Sequence, residues 1–155
     1  MSRPPAWHWQ VLLASGLGSG LAPRAPGTFG SLAALLPWWL LRPLPAWAYL
    51  AVTVLVFVLG VWVSERLTRQ PGSEDPGWIV IDEWVGLWLA LFLLPQGWPW
   101  VLAGFVLFRL FDIAKPWPVG WADRSLGGGL GVMADDALAG LMALGCLQLV
   151  ALWLA

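Results

Sequence analysis

The chain has 155 residues, 8 Lys and Arg against 9 Asp and Glu, and a net charge of −1. Hydrophobic residues make up 59% and charged residues 11%, where soluble proteins average about 45–50% and about 25%. A soluble core cannot hide that much apolar surface, so lipid is the predicted solvent, and the near-neutral balance excludes the basic face that a nucleic-acid partner needs.

The length leaves room for one domain, residues 1–155. The predicted fold is all-α: a small polytopic helical membrane protein of about four to five transmembrane helices, with a short N-terminal interfacial or re-entrant segment. Fourteen Trp and thirteen Pro agree with this, because Trp favours membrane interfaces and Pro is commoner in membrane helices than in soluble ones. The single cysteine, Cys146, excludes an internal disulfide and a cysteine zinc cluster. It lies in an apolar run and reads as a packing or lipid-facing residue. The N-terminal region does not have the pattern of a cleaved signal.

In chain order, a short apolar piece around Trp7–Ala14 runs into a Gly/Pro loop, GLGSGLAPRAPG, where a regular helix is not expected. The first candidate span, 28–41, falls short of the roughly 20 residues of a usual crossing. A turn at Arg42, Pro43 and Pro45 leads to the clearest span, 46–63. A polar loop, RQPGSEDPG, precedes the third span, 78–94, which carries Asp82 and Glu83 near its start. The fourth span is 100–113. A charged stretch follows, and the fifth span, 136–155, opens on Asp136.

This path puts almost every charge on one face. Arg24, Glu65, Arg66, Arg69, Glu74, Asp75, Asp82, Glu83, Arg109, Asp112, Lys115, Asp123, Arg124, Asp135 and Asp136 gather there, and the opposite face receives Arg42. Positive charge in short loops marks the cytoplasmic side, so the charged face is predicted to be cytoplasmic. Tryptophans fall into two belts, Trp38, Trp39, Trp47, Trp98, Trp100 and Trp153 outside, and Trp7, Trp9, Trp62, Trp78, Trp117 and Trp121 inside.

The chemistry is concentrated in two acidic pairs and a charged segment. Asp82-Glu83 and Asp135-Asp136 each open an apolar helical run. Helix capping accounts for one acid of a pair; two adjacent carboxylates at a membrane edge point instead to a cation. Arg109, Asp112 and Lys115 follow an i, i+3, i+6 series. It reads either as a snorkelling arginine with a salt bridge, or as an anion site of Arg109 and Lys115 beside a metal ligand, Asp112. Guanidinium forks suit phosphate oxygens. Arg124 is a further phosphate candidate, and Asp123 pairs with it or joins the metal ligands. Gly127, Gly128, Gly129 and Gly131 form a flexible loop or a phosphate cradle. Thr28 reads as a helix N-cap by default or as a phosphate contact. His8, the sole histidine, reads as an interfacial residue, so a His-based triad is not expected.

GLGSGLAPRAPGTFGSLAAL, IVIDEWVG, FRLFDIAKPWPVGWADR and GGGLGVMADDALAG, in this order, resemble the phosphatidylglycerophosphatase A family from about residue 13 to 140. The resemblance implies a multi-pass enzyme of the bacterial inner membrane. It would use magnesium to dephosphorylate phosphatidylglycerol phosphate to phosphatidylglycerol, its substrate held in the bilayer. Magnesium prefers oxygen ligands and keeps several waters. Asp82, Glu83, Asp112, Asp135 and Asp136 are then the ligand or base candidates, with Asp75 and Asp123 behind them, and Arg109, Lys115, Arg124 and Thr28 the phosphate contacts. Water activated beside the metal is the favoured attacker, and an aspartyl-phosphate route is the other. The alternative function, a membrane cation or proton transporter, would use the same carboxylates but needs a polar path across the bilayer.

The one-sided charge count makes a prediction about orientation. In a Cys146→Ser background, Gln70→Cys is expected to react with a membrane-impermeant maleimide only after the cytoplasmic face is opened. Labelling in intact cells would reverse the topology.

Overall fold

The computed structural model describes residues 5–69 and 76–155, and the described residues form helices without strands. The order is α1 (Trp9–Ala14), a 3₁₀ turn (Ser19–Leu21), α2 (Pro26–Leu41), α3 (Ala46–Thr68), α4 (Ile81–Ala90), α5 (Trp98–Ala114), α6 (Val119–Ser125) and α7 (Gly128–Leu154). The all-helical expectation holds. Among the described residues two helices, α3 and α7, are long and apolar enough by themselves to cross a membrane.

α4 is the hub. It buries Ile81, Asp82, Trp84, Val85, Gly86, Leu87, Trp88 and Ala90, while α2, α3, α5 and α7 pack around it. Only ten residues long, it rises about 15 Å and cannot span alone, so the expected third span of 78–94 is shorter as a helix. Trp84 and Trp88 are packing residues; the Trp88 indole donates to the Ala34 carbonyl at 3.0 Å. Tyr49 of α3 donates its hydroxyl to the Trp88 carbonyl at 2.5 Å.

Glycine sets the closest crossing. A Cβ on Gly140 of α7 would collide with the carbonyl of Gly86, and one on Gly86 would meet the Phe108 ring and lie 2.7 Å from the Asp136 carbonyl oxygen. α4 and α7 therefore meet at backbone contact, with the Phe108 ring of α5 packed against the same glycine, the small-residue packing that membrane helices use where apolar burial alone cannot drive association.

The start of α7 corrects the sequence reading. The helix begins at Gly128, so Asp135 and Asp136 lie two turns inside it. The glycine stretch is neither a free loop nor a phosphate cradle at Gly129: that amide donates to Glu65 Oε2 at 2.6 Å, and a Cβ there would strike the Val61 carbonyl. A carboxylate from α3 thus supplies the partner for an N-terminal amide of α7. Similarly, α2 starts at Pro26, with Ala25 as its N-cap residue and Thr28 already in the first turn. Proline tolerates the first helical position because its missing N–H has no partner there anyway.

Most of the tryptophans expected at the two interfaces are exposed, with Trp38, Trp78 and Trp100 the exceptions. Trp9, Trp39, Trp47, Trp62, Trp98, Trp117, Trp121 and Trp153 are exposed, while Trp38 is buried in the core. Cys146 is exposed on the apolar flank of α7. His8 stacks against Trp9, which stacks on Trp62 of α3.

Overpacking a tight crossing costs about 1–3 kcal/mol and more where backbone must move. Gly140→Leu is expected to lower the melting temperature in detergent clearly, whereas Gly145→Leu, where a Cβ meets open space, leaves it near the parent value. Equal melting of both variants would remove the Gly86–Gly140 contact from the fold's determinants.

Candidate metal and phosphate site

Two helices deliver three acids to one place. Asp82 and Glu83 occupy the first turn of α4, and Asp136 comes from α7 through the Gly86–Gly140 crossing. Each offers one carboxylate oxygen, all within 4.8 Å of one another. Asp82 is 9% exposed and Asp136 2%. Like charges at about 5 Å repel by on the order of 3 kcal/mol per pair at an effective dielectric of about 20.

Neither pair is a cap. The residue preceding α4 is Val80, without a side-chain cap, and Asp136 is far from its helix start. Asp82 Oδ1 instead accepts from the Glu83 amide, and Asp135 Oδ1 from the Asp136 amide, both at 2.9 Å. These local bonds orient the pairs but leave Asp136 Oδ2 buried without a hydrogen-bond partner. A buried polar atom normally finds a partner. An orphaned carboxylate oxygen on a residue grouped with two further carboxylates fits a hard, oxygen-preferring cation.

Basic groups ring this centre. Arg109 Nη1 lies 2.6 Å from Asp112 Oδ2 and 3.4 Å from Glu83 Oε1. The i, i+3 pair expected from sequence is therefore formed, and Asp112 holds Arg109 rather than joining the three-carboxylate group. Lys115 bridges two elements, 2.8 Å from Asp135 Oδ2 and 3.2 Å from Asp123 Oδ1. Burial disfavours its ammonium, but the hydrogen bonds and charges of Asp135 and Asp123 outweigh that and raise its pKa above the ordinary lysine value.

Some candidates sit elsewhere than expected. Asp123 and Arg124 lie on α6, not in a loop, and Asp123 pairs with Lys115 rather than with Arg124. The Arg124 guanidinium faces Gly120, where a Cβ would lie 3.1 Å from its Nη1. Asp75 lies outside the described residues.

The structure adds two residues that sequence reasoning missed. Buried Ser31 of α2 donates to Glu83 Oε2 at 3.4 Å. A Cβ on Gly27 would lie 2.7 Å from Glu83 Oε1 and 3.2 Å from both Arg109 terminal nitrogens. The first turn of α2, including Thr28, is thereby set against the acid–arginine cluster. The signal was present in PGTFGS: a small residue ahead of Thr28 and a hydroxyl three residues behind it, inside an apolar helix.

With this geometry in place, comparison with known proteins is decisive. The family described as Phosphatidylglycerophosphatase A matches residues 12–151. The chain belongs to that family. It is 46% identical over 151 residues to Phosphatidylglycerophosphatase A of Escherichia coli strain K12, covering 97% of this chain and 85% of the relative. It is 43% identical over 145 residues to the Haemophilus influenzae protein of the same name, covering 92% and 89%. A Bacteroides thetaiotaomicron protein, 43% identical over 149 residues with 91% of each chain covered, carries the provisional name phosphatidylinositol-3-phosphatase. No solved structure matches the chain. The family match spans all four quoted motifs, and so both acidic pairs, Arg109 and Lys115.

Near-isosteric substitutions separate chemistry from architecture. Asp82→Asn, Glu83→Gln, Asp112→Asn, Asp135→Asn and Asp136→Asn are expected to fold, and most to lose about 10²–10⁴ in rate. Asp136→Asn is also expected to melt no lower than the parent in chelator, because one member of a repelling group is neutralised. Five folded variants with near-parental activity would remove the site assignment.

Proposed function

We propose that the chain is a magnesium-dependent lipid phosphate monoesterase that converts phosphatidylglycerol phosphate to phosphatidylglycerol and phosphate in phospholipid biosynthesis. The observation that carries this is the convergence of Asp82, Glu83 and Asp136 within 4.8 Å beside Arg109, in a chain of this family. The Escherichia coli and Haemophilus influenzae relatives supply the substrate by name.

Residues 1–155 act in this reading as one catalytic domain in the bacterial inner membrane, its charged end facing the cytoplasm. α2, α3, α5 and α7 cross the bilayer around α4, giving about four to five spans. Support comes from the outward leucines of the shorter helices: Leu36 and Leu40 on α2 and Leu102 and Leu110 on α5 are exposed, as are Leu55 and Val58 on α3. Lipid is the solvent that accepts such a surface.

Asp82, Glu83 and Asp136 would hold the cation, with Asp135 and Asp112 near enough to Asp82 to add negative field. When bound, magnesium supplies charge neutralisation at the phosphate and acidifies water. Arg109, steadied by Asp112, offers donors to the phosphoryl oxygens, and Lys115 adds positive charge from the α5–α6 junction. Thr28 and Arg124 flank the same end as further phosphate contacts. Asp123 tethers Lys115 and stands behind it as an outer acid, and Asp75 stays an acid candidate on the sequence alone. A carboxylate of the cluster takes the proton from the attacking water as the new P–O bond forms, and the P–O bond to glycerol breaks with that proton returned to the departing glycerol oxygen, which leaves as the hydroxyl of phosphatidylglycerol. The transporter alternative lacks support, because among the described residues every acid lies at one end of the helices.

Purified protein is expected to release phosphate from phosphatidylglycerol phosphate with magnesium, to stop in excess EDTA, and to recover on magnesium addition. Phosphatidylinositol 3-phosphate, offered in parallel, tests the other named substrate. Full activity in EDTA would take the metal out of the reading, and release from the inositol lipid alone would replace the substrate.

A further inference from the structure

A cavity of about 900 Å³ opens between α2 and α5, within the range of small-molecule sites. Both helices pack on α4, but they scarcely touch each other. They meet at their charged ends, where the Gly27 position lies against the Arg109 guanidinium. Beyond that contact the space between them widens. Its walls are Leu32 and Leu35 from α2 and Val101, Leu102 and Phe105 from α5, with Leu91 beneath them. Its one charged lining residue, Arg42, lies at the far end with its guanidinium 4.0 Å from the centre of the Trp39 ring.

The register of both walls ties this groove to the site. Leu32 lies one turn beyond Thr28 and Phe105 one turn before Arg109, and side chains four apart share a helix face. The apolar strip therefore begins about 6 Å along each helix from Thr28 and Arg109. It runs towards the opposite membrane face, as an acyl chain does below its headgroup.

We infer that the α2–α5 groove is the acyl-chain subsite of this enzyme, receiving a fatty chain of the lipid whose phosphate lies at Arg109. The inference rests on the lipid phosphatase reading and adds what that reading leaves open: where the apolar half of the substrate lies, and that the enzyme selects for it. A phosphate monoester without long chains meets the same charged residues but leaves the groove empty, so chain length enters kcat/KM.

Two filling variants test this. Val101→Trp places bulk on the half-buried wall, and Leu102→Trp places it on the exposed rim and so does not depend on repacking the core. Both are compared with the parent on dioleoyl and dihexanoyl phosphatidylglycerol phosphate in mixed micelles, and native mass spectrometry follows retention of dioleoyl phosphatidylglycerol. The parent is expected to prefer the dioleoyl substrate. At least one folded variant is expected to lose about tenfold or more on it while staying within about twofold on the dihexanoyl one, and to lose the retained lipid. Hydrolysis indifferent to chain length in the parent, equal loss on both substrates, or undiminished lipid retention in both folded variants would overturn the groove and leave the phosphatase reading standing. If the parent retains the lipid, the variants lose it, and neither substrate is hydrolysed, the substrate assignment falls and the groove stands.

Discussion

Three carboxylates from two helices share one point inside an apolar bundle, and the rest of the structure answers to that repulsion. Asp82, Glu83 and Asp136 would drive α4 and α7 apart unless the backbones were held together elsewhere and positive charge were brought in. The Gly86–Gly140 crossing does the first, without side chains between the helices. Arg109 and Lys115 do part of the second. Around the site these two cations face six carboxylates, counting Asp112, Asp123 and Asp135 with the three. Since an unpaired buried charge is among the most costly features a fold can carry, the deficit is what a divalent cation would offset.

The same arrangement explains why the basic residues are paired but remain chemically useful. Arg109 shares its guanidinium between Asp112 and Glu83, and Lys115 shares its ammonium between Asp135 and Asp123. Both are fixed in place by partners on more than one element. Orientation costs are then met by folding rather than by substrate binding, the condition under which electrostatic stabilisation of a reacting phosphate is most effective. α6 gains a purpose from this: through Asp123 it ties the α5–α6 junction to the cluster.

The molecule is polar along its length. α2 and α4 begin, and α5 ends, at the charged site; the other ends of these helices border an apolar cavity capped by Arg42. A lipid phosphate has the same polarity. A transporter needs polar or ionisable groups along its path, and among the described residues the charges gather at one end, with Arg42 at the other.

The amino-acid sequence by itself determined the helical class, the apolar character of the helices, the clustering of charge at one end and the family. These follow from composition and from local patterns: apolar runs between turn residues, and motifs that stay together in the chain. It also determined the Arg109–Asp112 pair, because three-residue spacing on a helix is a local contact. Only the tertiary structure decided that α7 begins at Gly128, because Glu65, 64 residues away in the chain, provides a partner for the Gly129 amide that no local signal announces. It likewise decided that Asp136 joins Asp82 and Glu83 while Asp112 turns to Arg109, and that Lys115 reaches Asp123 and Asp135. Which carboxylates converge depends on where helices cross, and that is set by backbone contact at Gly86 and Gly140, a property of two glycines in one place rather than of either in its own segment.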